Sequence, residues 1–174
     1  MAINKIELDG KTYILVPEEI YNEDKPERAR TGYERVEIDE DYWAVSSISE
    51  ALGDEDNRAE VDDCSYNVGN YYTDKQLAAD NARADSILRR MRQWQALNDD
   101  AVQRYNSAVK KYSIMWSVSA GEPVVHSIIV GCGVDNFEIY FSTYAKAEEA
   151  LEVFRDDLIW LHTQYRRRLD EVRE

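Results

Sequence analysis

The chain has 174 residues, 44% hydrophobic and 32% charged, with a net charge of −14 at pH 7. That apolar fraction suffices for a real core and excludes global disorder, and the length fits one domain or one domain with a short appendage. No apolar run approaches the ~20 residues a membrane-spanning helix needs, and the opening MAINKIELDG lacks the basic-then-apolar pattern of a signal peptide, so a cytoplasmic protein is expected.

The charge is uneven. Residues 1–80 hold 21 acids against 8 Lys or Arg, whereas residues 81–174 hold 14 against 13. Glu34 to Asp63 alone carries 12 acids and 2 arginines. A field of that sign repels nucleic-acid phosphates and favours basic partners.

In chain order, Ile3 to Val16 alternates as a hairpin about Asp9-Gly10, a dipeptide suited to a type I′ turn. Pro17-Glu18-Glu19 suits a helix start, so a short helix is expected within Glu18 to Arg30, interrupted at Pro26. Residues 1–33 thus read as an appendage, either a docking element or, more simply, two more strands of the main sheet. Val36 to Ile48 reads as one long strand or a strand pair, with Tyr42, Trp43, Val45 and Ile48 as its apolar content. Ala51 to Asp63 reads as an exposed acidic loop. Its Asp54-x-Asp56-x-Arg58 spacing resembles the start of a calcium-binding loop, but Ala59 stands where a glycine is required and the closing glutamate is missing.

Tyr66 to Leu88 is the stretch around which the chain is organised. An aromatic-rich extended run ends in Tyr71 and Tyr72, and Thr73 with Gln76 three residues on makes a capping box. Leu77, Ala84, Leu88, Met91 and Trp94 then recur at helical spacing and predict a helix from about Asp74 to Leu97. Asn98 is placed to cap a second helix over Asp99 to Lys111, whose closing lysines would offset the helix dipole. Strands are expected over Tyr112–Val118, Val124–Val130 and Phe137–Phe141, with turns at Ala120–Pro123 and Gly131–Asn136. Ser142 or Thr143 caps a last helix with an apolar stripe of Ala147, Ala150, Leu151, Phe154, Leu158 and Leu161, continuing through Tyr165 and Leu169, with Arg166 to Arg168 at its end. The tail is expected to fray beyond Glu171.

Phe137 to Phe154 is a degenerate copy of the organising stretch. Aligning Tyr72 with Phe141 puts Ala78 over Ala147 and Ala82 over Leu151, small residues that allow each helix to pack closely on its own strands. The expected fold class is therefore α+β. An antiparallel sheet with helices on one face would be built from two related modules, 34–97 and 98–174, with the N-terminal hairpin added.

Recognisable catalytic machinery is missing. Neither His126 nor His162 has a Cys, Asp or Glu at metal-ligand spacing, and no nucleophile elbow, phosphate-binding loop or dinucleotide fingerprint occurs. Gly131-Cys132-Gly133 with His126 comes nearest to a nucleophile and base, and a hairpin turn accounts for those glycines. Cys64 and Cys132 are read as reduced thiols. No enzyme activity, metal or cofactor is expected.

Tyr42-Trp43, Tyr66, Gly69-Asn70-Tyr71-Tyr72-Thr73, Asn98, and Tyr140-Phe141-Ser142-Thr143 with Ala147 and Ala150 resemble, in that order, a pattern found in small phage and prophage proteins of unassigned function. The resemblance covers Tyr42 to His162. It departs at Tyr72, where phenylalanine is usual, and at Asn81, where a small apolar residue is usual. It implies a mobile-element origin, a bacterial host cell and no particular activity, because the family carries no agreed chemistry.

The resulting expectation is an accessory protein that binds a host protein with a basic surface. The binding face would comprise Glu37, Asp39, Glu40, Asp41, Asp54, Glu55, Asp56, Glu60, Asp62 and Asp63. An anti-defence inhibitor, such as an anti-CRISPR protein with DNA-mimic character, is its concrete form. One alternative is nucleic-acid binding through Arg89, Arg90, Arg92, Tyr71 and Tyr72, which the net charge opposes. The other is a homo-oligomer in which the basic half of one copy meets the acidic half of the next.

Overall fold

The computed structural model describes residues 4–8, 11–15, 30–99, 110–128 and 139–171. Two compact units divide at Arg30 and Thr31. In the first, β1 (Asn4–Leu8) and β2 (Lys11–Leu15) pair antiparallel, with Asn4 opposite Leu15 and Leu8 opposite Lys11. They form a two-stranded sheet of their own, not two strands added to a larger one. The helix expected within Glu18–Arg30 lies outside the described residues.

The second unit is α+β, with two hairpins and three helices among its described residues. β3 (Asp41–Val45) and β4 (Ala51–Glu55) pair with Asp41 opposite Glu55 and Val45 opposite Ala51. Ala51–Glu55 is thus a strand where an acidic loop was expected. The signal was weak because β4 has one apolar side chain larger than alanine, Leu52, and that residue is exposed. The remainder of the expected loop turns into α1 (Glu60–Asn67), whose first turn carries Glu60, Asp62 and Asp63 against the helix dipole.

α1 ends at Gly69, whose φ of +72° suits glycine as the left-handed residue that closes a helix. Asn70 then holds the backbone of Val45 from both sides: the Val45 amide donates to Asn70 Oδ1 at 2.7 Å, and Asn70 Nδ2 donates to the Val45 carbonyl at 2.9 Å. Tyr72 follows with a single reciprocal bridge to Trp43. α2 (Lys75–Asn98) starts immediately afterwards, so no third strand can grow. Its N-cap is Asp74, which accepts from the Leu77 amide at 2.8 Å, not Thr73. The Thr73 amide donates instead to the Gly32 carbonyl.

The second module repeats this plan. β5 (Lys111–Ser117) and β6 (Glu122–Ile128) form a hairpin, Phe141 makes a single bridge to Tyr112, and α3 (Tyr144–Thr163) begins after its N-cap Thr143. Trp43 with Tyr72 and Tyr112 with Phe141 are equivalent pairs, and Asp74 and Thr143 are equivalent caps. The expected third strand over Phe137–Phe141 is represented among the described residues by the Phe141 bridge alone. Of the helix expected over Asp99–Lys111, residues 100–109 lie outside the described residues, Asp99 is the C-cap of α2, and Lys111 opens β5. Residues 129–138 and 172–174, including the expected turn at Gly131–Asn136, also lie outside them.

Helices α2 and α3 run antiparallel: Asn81 meets Tyr165, Arg90 meets Asp157, and Trp94 meets Phe141 just ahead of α3. Ala84, Ile87 and Met91 of α2 pack on Leu151, Phe154, Leu158 and Trp160 of α3. Each large side chain fully buried here contributes roughly 1.5–3 kcal/mol. Ala78 and Ala147, both fully buried, sit under Tyr72 and Phe141 respectively, where the helix passes closest to its own bridge.

Asn81 has a clear structural role. Its Oδ1 accepts from the Tyr33 hydroxyl at 3.3 Å and the Tyr165 hydroxyl at 2.8 Å, joining the segment before β3 to the segment after α3. The latter segment is not helical. α3 ends at Thr163, and Leu169 returns to donate its amide to the Thr31 carbonyl. Arg166 to Arg168 therefore do not complete a helix. Arg168 pairs with Asp170, and Arg166 donates to the Leu169 carbonyl.

Candidate partner-binding surface

The acidic segment divides into a buried part and an exposed part. Asp56, directly after β4, is completely buried. Arg35 reaches it with Nε at 2.8 Å and Nη2 at 3.2 Å, the Arg58 side chain at 2.8 Å, the Arg58 amide at 2.9 Å, and the Tyr71 hydroxyl at 2.8 Å. Arg35 is the main reason its carboxyl is held well below the usual carboxylate range, with the Arg58 amide and Tyr71 adding to that effect against the opposing pull of burial. Tyr71 responds in the opposite sense: burial, and then donation to Asp56, push its hydroxyl up to about 12.

Asp62 is also buried. Its Oδ2 accepts from the Asn57 and Ala59 amides at 3.0 and 2.9 Å, and its Oδ1 accepts from the Tyr42 hydroxyl at 3.0 Å. Tyr42 in turn stacks on Tyr71 with ring centroids 4.2 Å apart. Asp56, Asp62, Tyr42 and Tyr71 thus form one interior network. The expectation that Asp56 and Asp62 belong to an exposed binding face is corrected: both carboxylates are consumed inside the fold. Asp63 is half exposed and pairs with Arg35 at 2.7 Å.

What remains outside is narrower. Glu37, Asp39, Glu40 and Asp41 lead into β3, Asp54 and Glu55 end β4, and all six are exposed. The Asp39 amide donates to the Asp56 carbonyl and the Asp56 amide to the Glu40 carbonyl, so the two acidic runs lie side by side. Asp41 and Glu55 face one another directly across the ladder, an arrangement of like charges that costs stability. Glu60, also exposed, opens α1 a few residues on.

The basic residues are placed differently. Tyr71 and Tyr72 are buried, so neither offers a ring on which a base could stack, which corrects their assignment to a nucleic-acid site. Arg90 pairs with Asp157 at 2.8 Å and covers the Phe154 ring, and Arg83 reaches the same carboxylate while lying 3.9 Å over Trp160. Arg89 donates to the Ser49 hydroxyl at 2.6 Å, and Arg92 is exposed. An open groove of about 640 Å3 lies between the β3–β4 turn and α2, lined in part by Ile48, Lys75, Ala82 and Arg83. Its cations are engaged at the wall, Lys75 over the Trp43 ring and Arg83 as above.

His126 is exposed on β6, and Cys132 lies outside the described residues. Among the described residues no group of three or more His, Cys, Asp or Glu is arranged to hold a metal ion, and no helix is long and apolar enough to cross a membrane. Arg35 and α1 were not singled out from the sequence, and Tyr42 and Arg58 were named there without a part in this network. The available signal was that Arg35 and Arg58 are the only cations among the twelve acids of residues 34–63. Compared with family models, curated proteins and solved structures, the chain matches none.

Proposed function

We propose that the protein is a phage or mobile-element accessory protein that binds a basic surface on a host protein in the bacterial cytoplasm. The observation that supports this reading is the exposed carboxylate rim formed by Glu37, Asp39, Glu40, Asp41, Asp54 and Glu55 at one end of the β3–β4 hairpin. A row of carboxylates on a rigid hairpin offers a basic nucleic-acid-binding surface the charge it normally meets on phosphates. An anti-defence inhibitor of the anti-CRISPR kind, partly mimicking nucleic acid, is the form this function takes. Asp41 and Glu55, kept opposite one another at a cost, fit a surface used for binding.

The neighbouring network favours the same reading. Arg35 and Arg58 are drawn onto Asp56, and Arg35 also onto Asp63, so neither is paired with the six rim carboxylates. The test is retention of proteins from bacterial lysate by the tagged full-length chain over a range of salt. One basic protein retained at low salt and released at high salt is the expected result. Retention that ignores salt overturns the mimic reading.

A further inference from the structure

Helix α1 is set with its polar side inward. Among its residues only Asp62 is buried, while Val61 is 59% exposed, Cys64 is exposed, and Val68, its C-cap, is 75% exposed. At 3.6 residues per turn these three share one outer stripe. The rotation is fixed by Asp62, whose carboxylate is held by two backbone amides ahead of the helix and by Tyr42 beneath it. Turning the helix to bury the valines would expel that carboxylate from its three donors. The apolar stripe therefore faces solvent as a consequence of the fold.

The surroundings of the stripe are acidic. Glu60 lies on the same helix, and Asp54 lies on the hairpin face that carries Tyr42, because it stands opposite Tyr42 in the ladder, whereas Asp63 is taken up by Arg35. We infer that α1 is the apolar centre of the partner-binding surface and that it takes an amphipathic basic helix, with apolar side chains on Val61 and Val68 and lysines or arginines over Asp54 and Glu60. Helix-in-groove and helix-on-helix recognition uses this combination of apolar anchors and charged flanks. A second copy would bring the same acidic flanks, Glu60 and Asp54, to the stripe and not the complementary charge. The inference rests on the host-binding reading above and specifies the chemistry of the partner.

The test uses two labelled peptides of equal positive charge, one an amphipathic helix with leucines along one face and lysines beside them, the other lysine with alanine only. Binding to the full-length protein is followed by fluorescence anisotropy at low salt. Val61→Ser with Val68→Ser alters exposed positions only, and Val153→Ser, also exposed, is the control. The expected result is amphipathic-peptide binding weakened roughly tenfold by the double substitution, as expected when two valine contacts are lost. The control and the alanine-lysine peptide should show no such change. Equal binding of the amphipathic peptide to wild type and double variant overturns the role of α1, and persisting salt-sensitive binding of both peptides would then leave the rim reading intact. Failure of both peptides to bind overturns both. A wild-type dimer in sedimentation that the double substitution converts to monomer also overturns the inference, because a second copy would then cover the stripe.

Discussion

The Tyr71 hydroxyl donates to Asp56 at 2.8 Å, and both groups are buried. Through this bond the segment that leads into the first long helix is tied to the end of the hairpin that carries the exposed acidic rim. Asp56 is the fixed point of that junction, since Arg35 and Arg58 close on it as well. Asp56→Asn leaves two guanidinium groups facing a neutral amide and removes acceptor capacity from a buried tyrosine. We expect a loss of about 3 kcal/mol, as when one member of a buried ionic cluster is removed. Asp54→Asn, two residues away and exposed, should change stability by about 0.5 kcal/mol or less. Urea midpoints of the two variants check the contrast.

Glu34 governs part of the acid response. Burial disfavours its charged form, but the Thr31 hydroxyl and the Thr31 and Gly32 amides donate to its carboxylate and bring its pKa down to about 2. A carboxyl with a depressed folded-state value contributes stability above its unfolded value, and that stability is lost as pH falls through the folded one. Wild type should therefore lose stability between the ordinary glutamate range and about pH 2 in excess of Glu34→Gln. Thermal midpoints of the two proteins across that window measure the difference.

Alkaline conditions act on the tyrosines. Tyr72 is pushed up to about 12, first by burial and then by its neighbours Tyr33, Asp85 and Tyr165. A group raised in the folded state contributes stability in full below its unfolded value, and that stability is lost as pH rises through the folded one. Stability should thus fall between about pH 10 and pH 12. Tyr72→Phe should flatten this fall, as followed by tyrosinate absorbance together with circular dichroism.

Gly32 admits no side chain. Its φ is +91°, and a β-carbon there would stand 2.3 Å from Leu77 Cδ2 and 3.0 Å from Leu169 Cγ. Leu77 is buried beneath it. Gly32→Ala should cost about 2–4 kcal/mol through backbone strain and overpacking combined. Chemical denaturation gives the value, and a cost near that of a surface alanine would contradict the packing described.

The long elements were legible because their signals are local and repeated. The Leu77, Ala84 and Met91 spacing gave α2, the Ala147 to Leu158 stripe gave α3, and the alignment of Tyr72 with Phe141 located two bridges that the fold indeed makes equivalent. β4 and α1 were hidden because neither buries an apolar stripe: β4 exposes Leu52, and α1 buries a carboxylate. The cap at Asp74 was misplaced by one residue because Thr73 and Asp74 are both competent, and only the engagement of the Thr73 amide by Gly32 distinguishes them. Composition alone could not divide the acids into anchors and surface. That division depends on where Arg35, Arg58 and Tyr42 arrive in three dimensions.

The exposed carboxylates are expected to act separately from the buried ones. The direct measurement compares host proteins retained by wild type with those retained by Asp41→Lys with Glu55→Lys, after circular dichroism shows both to be folded. These two residues face each other across β3 and β4, so the double substitution reverses two of the six rim charges while leaving the Asp56 and Asp62 networks untouched. The predicted result is loss of a basic, salt-sensitive partner with the fold intact. Undiminished retention of that partner by the double variant would contradict this reading.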